Sequence, residues 1–512
     1  MLLRMHLRHF RRLAAALALG IVSACSGGSD IIAPITPPPP IPTIPPVAGD
    51  TTAPGIRREM RGVWIATVAN IDWPTRTGLT APQQQAELID LLDRAQAAGL
   101  NAVYFHIRPA GDAVYRSSLE PWAALLQGSQ GTDPGYDPLE YAIIQAHQRG
   151  LELHAWINPF RAGNTRDSAN LSALHLFKRR RDLTRVYGTQ LWQDPGEPAI
   201  HDHVMQVVSD IARRYDIDGI HADDYFYPYQ QNDASGRLID FPDSGSYARS
   251  GSTLSRADWR RNNVDRFVER MYREIHLIKP TIKIGISPFG IWRPGFPAGV
   301  NGLDAFATIY ADSRKWLQQG WVDYLAPQLY WSIAATQQSY PALLDWWFSQ
   351  NTLGRHVWPG LATYRVADGT VSAFSSTEIP NQITVTRARA AGTGYLLYNA
   401  NTTLKRFDGA VAASLATLHA DGALAPAARW LDAVAPPGPA VSVAARVVSM
   451  SPGSGEAVRW WVLRSRSSGI WTTRVLFGDA RTFTLTSTAE RVLLNAVDQA
   501  GNLSTAAEWK TP

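Results

Sequence analysis

Between residues 61 and 400 the chain alternates, eight times over, a short apolar and aromatic run with a longer stretch of helical period. Few architectures accommodate that pattern. The runs are RGVWIAT (61–67), AVYFHIRP (102–109), ELHAWINP (152–159), GIHADDYFYP (219–228), IKIGISPFG (282–290), YLAPQLYW (324–331), HVWPGLATY (356–364) and GYLLYNA (394–400). Among the stretches between them, 83–98 carries Leu88, Leu91, Leu92 and Ala95 at helical spacing, and 138–149, 198–215, 259–279, 312–319 and 340–349 read likewise. Gly99, Gly150 and Gly320 stand where helices end, each just before the next run. Strands separated by helices pair in parallel through right-handed crossovers. The pattern predicts an α/β fold, a closed (β/α)8 TIM barrel over residues 57–430. The rival, an open doubly wound sheet, lacks a GxGxxG after the first run.

Active sites of such barrels sit at the C-terminal strand ends, and alternate side chains of a strand share a face. Val103, Phe105 and Ile107 oppose Tyr104, His106 and Arg108; Leu153, Ala155 and Ile157 oppose His154, Trp156 and Asn158; Ile220 and Ala222 oppose His221 and Asp223. The sixth run adds Gln328 and Tyr330. A buried, internally satisfied network accounts for one or two such positions, but poorly for four strands polar at the same end. The set His106, Arg108, His154, Trp156, Asn158, His221, Gln328 and Tyr330 therefore predicts a pocket for a polar substrate. HADDYFYP adds the carboxylates Asp223 and Asp224, followed by Tyr225. Glycoside hydrolysis needs two carboxylates, one of them protonated, and adjacent acids facing one cleft split their pKa values. The plain alternative is a loop cap or an ion pair with an arginine such as Arg108. For the second carboxylate, Asp112 and Glu120, after the second run, rank ahead of Asp72, although lone loop acids more often order their loops. Trp73, Trp122, Trp292 and Trp331 fall in loops that would top the barrel and could stack on sugar faces, whereas Trp316 and Trp346 read as packing. His201-Asp202-His203 lacks the i,i+4 spacing of a helical metal pair, and no GxSxG occurs. No metal and no cofactor are expected.

The chain holds 49 Lys and Arg against 44 Asp and Glu. Its surplus of five sits mostly at the start: residues 1–24 carry Arg4, Arg8, Arg11 and Arg12 and no acid, ahead of the apolar run LAAALALGIV. That run is too short to span a bilayer and reads as a signal peptide. Small residues then precede Cys25, the single cysteine, in a pattern that resembles a bacterial lipobox. Removing four of the 49 basic residues leaves 45 against 44, so a nucleic-acid partner is not expected. The tether 25–56 holds nine prolines between Pro34 and Pro54 and should extend at about 3 Å per residue. Ser26 after the cysteine suggests outer-membrane sorting, facing the periplasm. At the other end, after PPGPA (436–440), short β-rich runs with Gly/Ser turns predict a small β-sandwich over 436–512. Its ending AVDQAGNLS resembles fibronectin type III-like modules, which position a barrel, bind glycan or act as a passive spacer.

EMRGVWIATVANIDWPT, NAVYFHIRPAGDAVYRSSLEPW, GYDPLEYAIIQAHQRGLELHAWINPFRA, DGIHADDYFYP, ISPFGIWRPG, YADSRKWLQQGWVDYLAPQLYW and GRHVWPGLATY, in that order, resemble the bacterial glycosyl-hydrolase-like family 10. GYLLYNA is less typical of it. The resemblance implies a (β/α)8 barrel acting on glycans, some members being outer-membrane lipoproteins that cleave peptidoglycan glycan strands stripped of stem peptides. By it, Asp223 and Asp224 match the acidic strand-four motif, and Asp112 and Glu120 the strand-two loop. The expectation is a glycoside hydrolase of cell-envelope polysaccharide, peptidoglycan glycan above all, lipid-anchored at Cys25. Asp223 would serve as nucleophile, base or charge stabiliser and a loop carboxylate as acid. Because the fifth run ends without an acid, a non-catalytic glycan-binding lipoprotein is the alternative; a glycosidase for an imported polysaccharide is another.

Overall fold

The computed structural model describes residues 52–165 and 168–511. The leader 1–24, Cys25 and the tether up to residue 51 lie outside the described residues.

Nine parallel strands form one curled sheet: β1 (Met60–Ile65), β2 (Ala102–Arg108), β3 (Glu152–Ile157), β4 (Gly219–Ala222), β5 (Lys283–Ile286), β6 (Tyr324–Leu325), β7 (His356–Val357), β8 (Gly360–Ala362) and β9 (Gly394–Tyr398). Their order is β7-β6-β5-β4-β3-β2-β1-β9-β8. The two ends of that order are consecutive pieces of one predicted run, cut where Pro359 has no N–H to give the ladder. Trp358 N donates to Leu325 O at 2.9 Å on one side, and Leu396 N donates to Pro359 O at 3.0 Å on the other. The edges of the curl thus meet in this segment.

Alternate side chains separate two apolar layers. Val63, Val103, Leu153, Ile220, Ile284 and Leu325 share the outer core with the helices. Met60, Trp64, Tyr104, Trp156, Tyr324, Trp358 and Leu396 form a smaller inner cluster. Rings from some strands occupy the space that glycines leave on their neighbours. A Cβ on Gly285 would lie 1.9 Å from Tyr324 Cζ, and one on Gly219 2.1 Å from His154 Nδ1.

The helices lie within three residues of their predicted starts and two of their predicted ends: α1 (Ala81–Ala97), α2 (Pro138–Gln148), α3 (Pro198–Arg214), α4 (Arg256–Ile278), α5 (Ser313–Gln318) and α6 (Tyr340–Gln350). A capping box at Thr80 and Gln83 starts α1, and the Asp137 carboxylate caps the amides of Leu139 and Glu140 in α2. Gly99, Gly150 and Gly320 take the left-handed φ of helix ends, 70°, 72° and 70°. Unforeseen are α7 (Glu378–Arg387) and a three-stranded antiparallel piece, Arg161–Gly163, Thr184–Tyr187 and Gln190–Gln193, between β3 and α3.

The C-terminal runs form two antiparallel sheets. One holds β10 (Ala440–Ala444), β11 (Val447–Ser451) and β14 (Thr482–Thr484); the other holds β12 (Trp460–Ser467), β13 (Ile470–Phe477), β15 (Arg491–Val497) and β16 (Ala507–Lys510). Val448, Met450, Trp461, Leu463, Val492 and Leu494 from both sheets share one core. Residues 441–450, VSVAARVVSM, form a hairpin of β10 and β11 that turns at Ala445 with φ 54°. Arg459, at the foot of β12, reaches Asp218 before β4 (2.9 Å) and Asp216 (2.6 Å).

Candidate functional site

The polar residues of the inner face fall into two groups. The deeper one is a chain of hydrogen bonds whose proton positions follow from its ends. Trp64 Nε1 can only donate, and gives its proton to His221 Nε2 at 3.0 Å. His221 Nδ1 then donates to Tyr324 Oη at 3.1 Å, and the tyrosine hydroxyl donates to His154 Nδ1 at 3.0 Å. His154 Nε2 donates to Glu152 at 3.0 Å, and Lys283 Nζ holds Glu152 at 2.8 and 2.9 Å. Burial lowers the pKa of both histidines and keeps them neutral, as the chain requires. His221 and His154 were expected to meet substrate; the structure corrects this, since all four ring nitrogens are occupied within the barrel.

Arg108 and Glu120 are corrected by a shift in register. Along β2 and β3, His106 pairs with Trp156, yet Arg108 pairs with Ile157. The extra residue takes Arg108 off the interior parity. Its guanidinium grips Glu120 (Nε to Oε2, 2.7 Å) and the carbonyls of Asn158 and Pro159 (2.6 and 2.9 Å), while His203 of α3 donates to Glu120 at 3.0 Å. Burial pushes the Glu120 carboxyl up, but the Arg108 charge and the bonds from His203 and Arg108 outweigh it and hold it well below the usual range. Glu120 is a locked anion and cannot supply a proton. Of the other loop acids, Asp112 accepts from Ala110 N and Gln130 Nε2, both at 3.1 Å. Asp72 accepts from the amides of Ala66 (2.7 Å) and Asn401 (2.8 Å), and burial pushes it up to about 7. Neither shares a hydrogen bond with Asp223 or Asp224. Trp292, placed in the mouth by sequence, instead stacks on Trp346 of α6 (centroids 5.9 Å) and donates to Asp312 at 3.0 Å. Trp73 likewise lies in the helix layer, donating to Gln84 O at 2.8 Å. His201 and His203 bond apart, His201 to Pro195 O at 2.8 Å.

The mouth is built on the ends of β2, β3 and β4. Asp223 and Asp224 are 7 % and 2 % exposed. Asp224 N donates to Asp223 Oδ1 at 2.9 Å, and the Tyr229 hydroxyl donates to Asp224 Oδ2. Two neighbouring buried carboxyls facing one cleft disfavour double ionisation. Burial raises both groups, and the Asp224 charge lifts Asp223 well above the usual range, whereas the bond from Tyr229 favours charge on Asp224. Asp223 is thus the member of the pair suited to hold a proton and act as an acid, where nucleophile, base or charge stabiliser was expected.

Beside the pair stands Arg161, which sequence reasoning overlooked. Its guanidinium lies 3.9 Å from the Tyr225 ring centre, and its charge draws both aspartates downward. The signal was present in NPFRA, a basic residue just past the third run, but the antiparallel strand that holds it was not foreseen. His106 stacks on Trp156 (centroids 4.0 Å) and accepts from Asn158 Nδ2 at 3.2 Å, leaving its proton on Nδ1. His106 Nδ1, Trp156 Nε1, Asn158 Oδ1 and Arg161 Nε are buried without a protein partner. Each such atom costs about 1–3 kcal/mol, so a group of them marks a place built to bond something else.

Half-buried aromatic rings surround this floor: Tyr225 against Tyr229 (5.6 Å), Tyr229 against Phe289 (6.4 Å), Phe289 against Trp331 (5.7 Å), and Tyr330 stacked on Tyr398 (5.9 Å). Gln328 donates to Ser287 O at 3.0 Å. Among the described residues, a group able to hold a metal is Asp432, Glu456 and Asp498, outside the mouth, with ligand atoms within 4.8 Å of one another.

A curled parallel sheet with paired carboxyls in a polar, aromatic-rimmed mouth defines a glycosidase-like protein. Residues 59–375 match the model of the family Glycosyl hydrolase-like 10, and the chain belongs to that family. Glycosyl hydrolase YngK of Bacillus subtilis (strain 168) is 41 % identical over 394 residues, 75 % of this chain and 76 % of that one. Glycosyl hydrolase DigH of Escherichia coli (strain K12) is 35 % identical over 331 residues, 60 % of this chain and 74 % of that one. The glycoside hydrolase domain of PgaB (BpsB) from Bordetella bronchiseptica aligns with a TM-score of 0.47 at 14 % identity, over 71 % of this chain and 98 % of that one.

Proposed function

We propose that this chain is a glycoside hydrolase of cell-envelope polysaccharide, its substrate the glycan strands of peptidoglycan. The observation that carries the reading is the Asp223–Asp224 pair, two adjacent buried carboxyls, both raised above the usual range, in a mouth of unpartnered polar atoms. A protonated carboxyl beside an ionised one is the acid–base equipment of glycosidic cleavage. The rim aromatics Tyr225, Tyr330 and Trp331 supply faces on which sugar rings stack, and Gln328 and Arg161 supply hydrogen-bond donors. In this reading the curled sheet is a (β/α)8 barrel over 57–430. The module 436–512 is fibronectin type III-like and holds the barrel at its substrate. Lipidation at Cys25 and the tether 25–56 place the enzyme on the outer membrane facing the periplasm, a reading that rests on sequence alone.

The test is incubation of the purified chain with intact and amidase-stripped sacculi, reading released muropeptides and sugars by mass. Soluble glycan fragments should appear with the wild type and be absent with Asp223→Asn. Equal release by the variant would remove Asp223 from the mechanism. A second reading, a glycan-binding barrel without catalysis, is favoured by the locking of Glu120. It predicts retention of purified glycan with no new reducing ends.

A further inference from the structure

The Asp223–Asp224 pair restricts its own chemistry. Glycosidases that use two protein carboxylates on opposite faces of a sugar hold them about 5–5.5 Å apart when a covalent intermediate forms, and about 6.5–9.5 Å apart when water attacks directly. Asp223 and Asp224 are instead consecutive and buried together at the end of β4, with Asp224 N on Asp223 Oδ1 at 2.9 Å. Adjacent residues joined in this way do not supply the opposed pair that either separation requires.

A group for the opposite side would have to come from elsewhere in the mouth. Glu120 is held by Arg108 and His203. Both oxygens of Asp72 and both of Asp112 are engaged within their own loops and neighbours. The ends of β5, β6, β8 and β9 bring Ser287, Gln328, Tyr330 and Tyr398, none of them a carboxylate. The loop carboxylates are thus each tied into their own loops or ion pairs, whereas the Asp223–Asp224 pair lies beside unpartnered polar atoms.

We propose that the nucleophile is the substrate's own 2-acetamido group, so that the site cleaves N-acetylhexosaminides with retention, Asp223 acting as acid and then base and Asp224 holding the amide. This deepens the glycosidase reading and rests on it. In the first step the amide carbonyl oxygen bonds to the anomeric carbon as the bond to the leaving oxygen breaks. The leaving oxygen takes the Asp223 proton, and the amide N–H turns to the Asp224 carboxylate, which balances the positive oxazolinium. In the second step water bonds to the anomeric carbon from the side the leaving group vacated and gives a proton to Asp223. The carbonyl oxygen returns to the amide. The sum is hydrolysis, with both carboxyls restored and the anomeric configuration kept. Tyr229 fits this role, since its hydroxyl on Asp224 Oδ2 fixes the carboxylate that must meet the amide. The stacked His106–Trp156 wall offers two buried N–H groups to a sugar bearing hydroxyl and amide oxygens.

The experiment uses the full chain with peptide-free peptidoglycan glycan and with the same glycan chemically N-deacetylated, each at saturation. Expected are a retained first-formed anomer by proton NMR and a rate lower by about 100-fold or more on the deacetylated glycan, the loss that follows when an intramolecular nucleophile is removed. Asp224→Asn should lower kcat by a similar factor with little change in KM, and a thiazoline analogue of the N-acetyl sugar should inhibit. An inverted anomer, a covalent glycosyl–enzyme adduct by mass, or equal rates on the two glycans would overturn this proposal while leaving the glycosidase reading intact. Cleavage of neither glycan would overturn both.

Discussion

Two things coincide at Asp223 to raise its carboxyl well above the usual range, burial and a charged neighbour one position along the chain. The active form of the pair carries one proton. Activity should therefore fall on the acid side, where Asp224 also protonates, and on the alkaline side, where Asp223 loses its proton. Since both groups are raised, the window in a kcat/KM profile should lie above the ordinary carboxylate range. Arg161 draws both carboxyls down. Arg161→Ala should move both limbs to higher pH; limbs that stay in place would separate Arg161 from the pair. Glu120 makes the opposite prediction. Its role is the buried pair with Arg108, so Glu120→Gln should cost about 3–5 kcal/mol of stability, as removal of one partner of a buried ion pair does. A variant of Glu120 with native melting and no activity would restore it as a catalytic acid.

At the scale of elements, the period of apolar residues locates the strands and helices because it is local. The runs at 61–67, 102–109 and 152–159 end within two residues of β1, β2 and β3, and the glycine caps fall where expected. What the period cannot register is a residue inserted in one strand. The shift between His106 and Arg108 reverses the side to which Arg108 belongs, and with it the fate of Glu120. Inside the sheet, Gly285 gives Tyr324 its space, so Gly285→Ala should melt well below the wild type, overpacking costing about 1–3 kcal/mol or more. At the start of β1, Glu59 pairs with Arg61 at 2.6 Å and with Arg387 of α7 at 2.7 Å. Burial pushes its carboxyl up, but the Arg387 hydrogen bond and the two arginine charges win and hold it at about 2. A depressed folded value means stability present above the ordinary 4.5 and lost as pH falls toward about 2. The loss should be about 3 kcal/mol, and Glu59→Gln should flatten that part of a stability–pH curve.

For the whole molecule, Arg459 joins the C-terminal sandwich to the barrel alongside Gln499 on Asp218 and the His147 ring on Phe477. Arg459 bonds Asp218, whose other oxygen accepts from Leu153 N at 2.8 Å, so the contact reaches the start of β3. Arg459→Ala leaves Asp218 buried without that charge and should destabilise by about 3–5 kcal/mol. Two resolved transitions in calorimetry, against one for the wild type, would report sandwich and barrel released from each other. The sequence alone determined the alternation of strands and helices, the separate β-rich ending and the carboxylates at the close of the fourth run, because each is written in neighbouring residues. Tertiary structure decided which polar residues are free. His154, His221 and Arg108 sit in the same sequence pattern as His106, Trp156 and Asn158, yet they are occupied by partners, 157 residues away in the case of His221 with Trp64, and the loop acid Glu120 is held by His203, 83 residues away. Hydrogen-bond satisfaction is a property of the folded neighbourhood, and no local pattern encodes it.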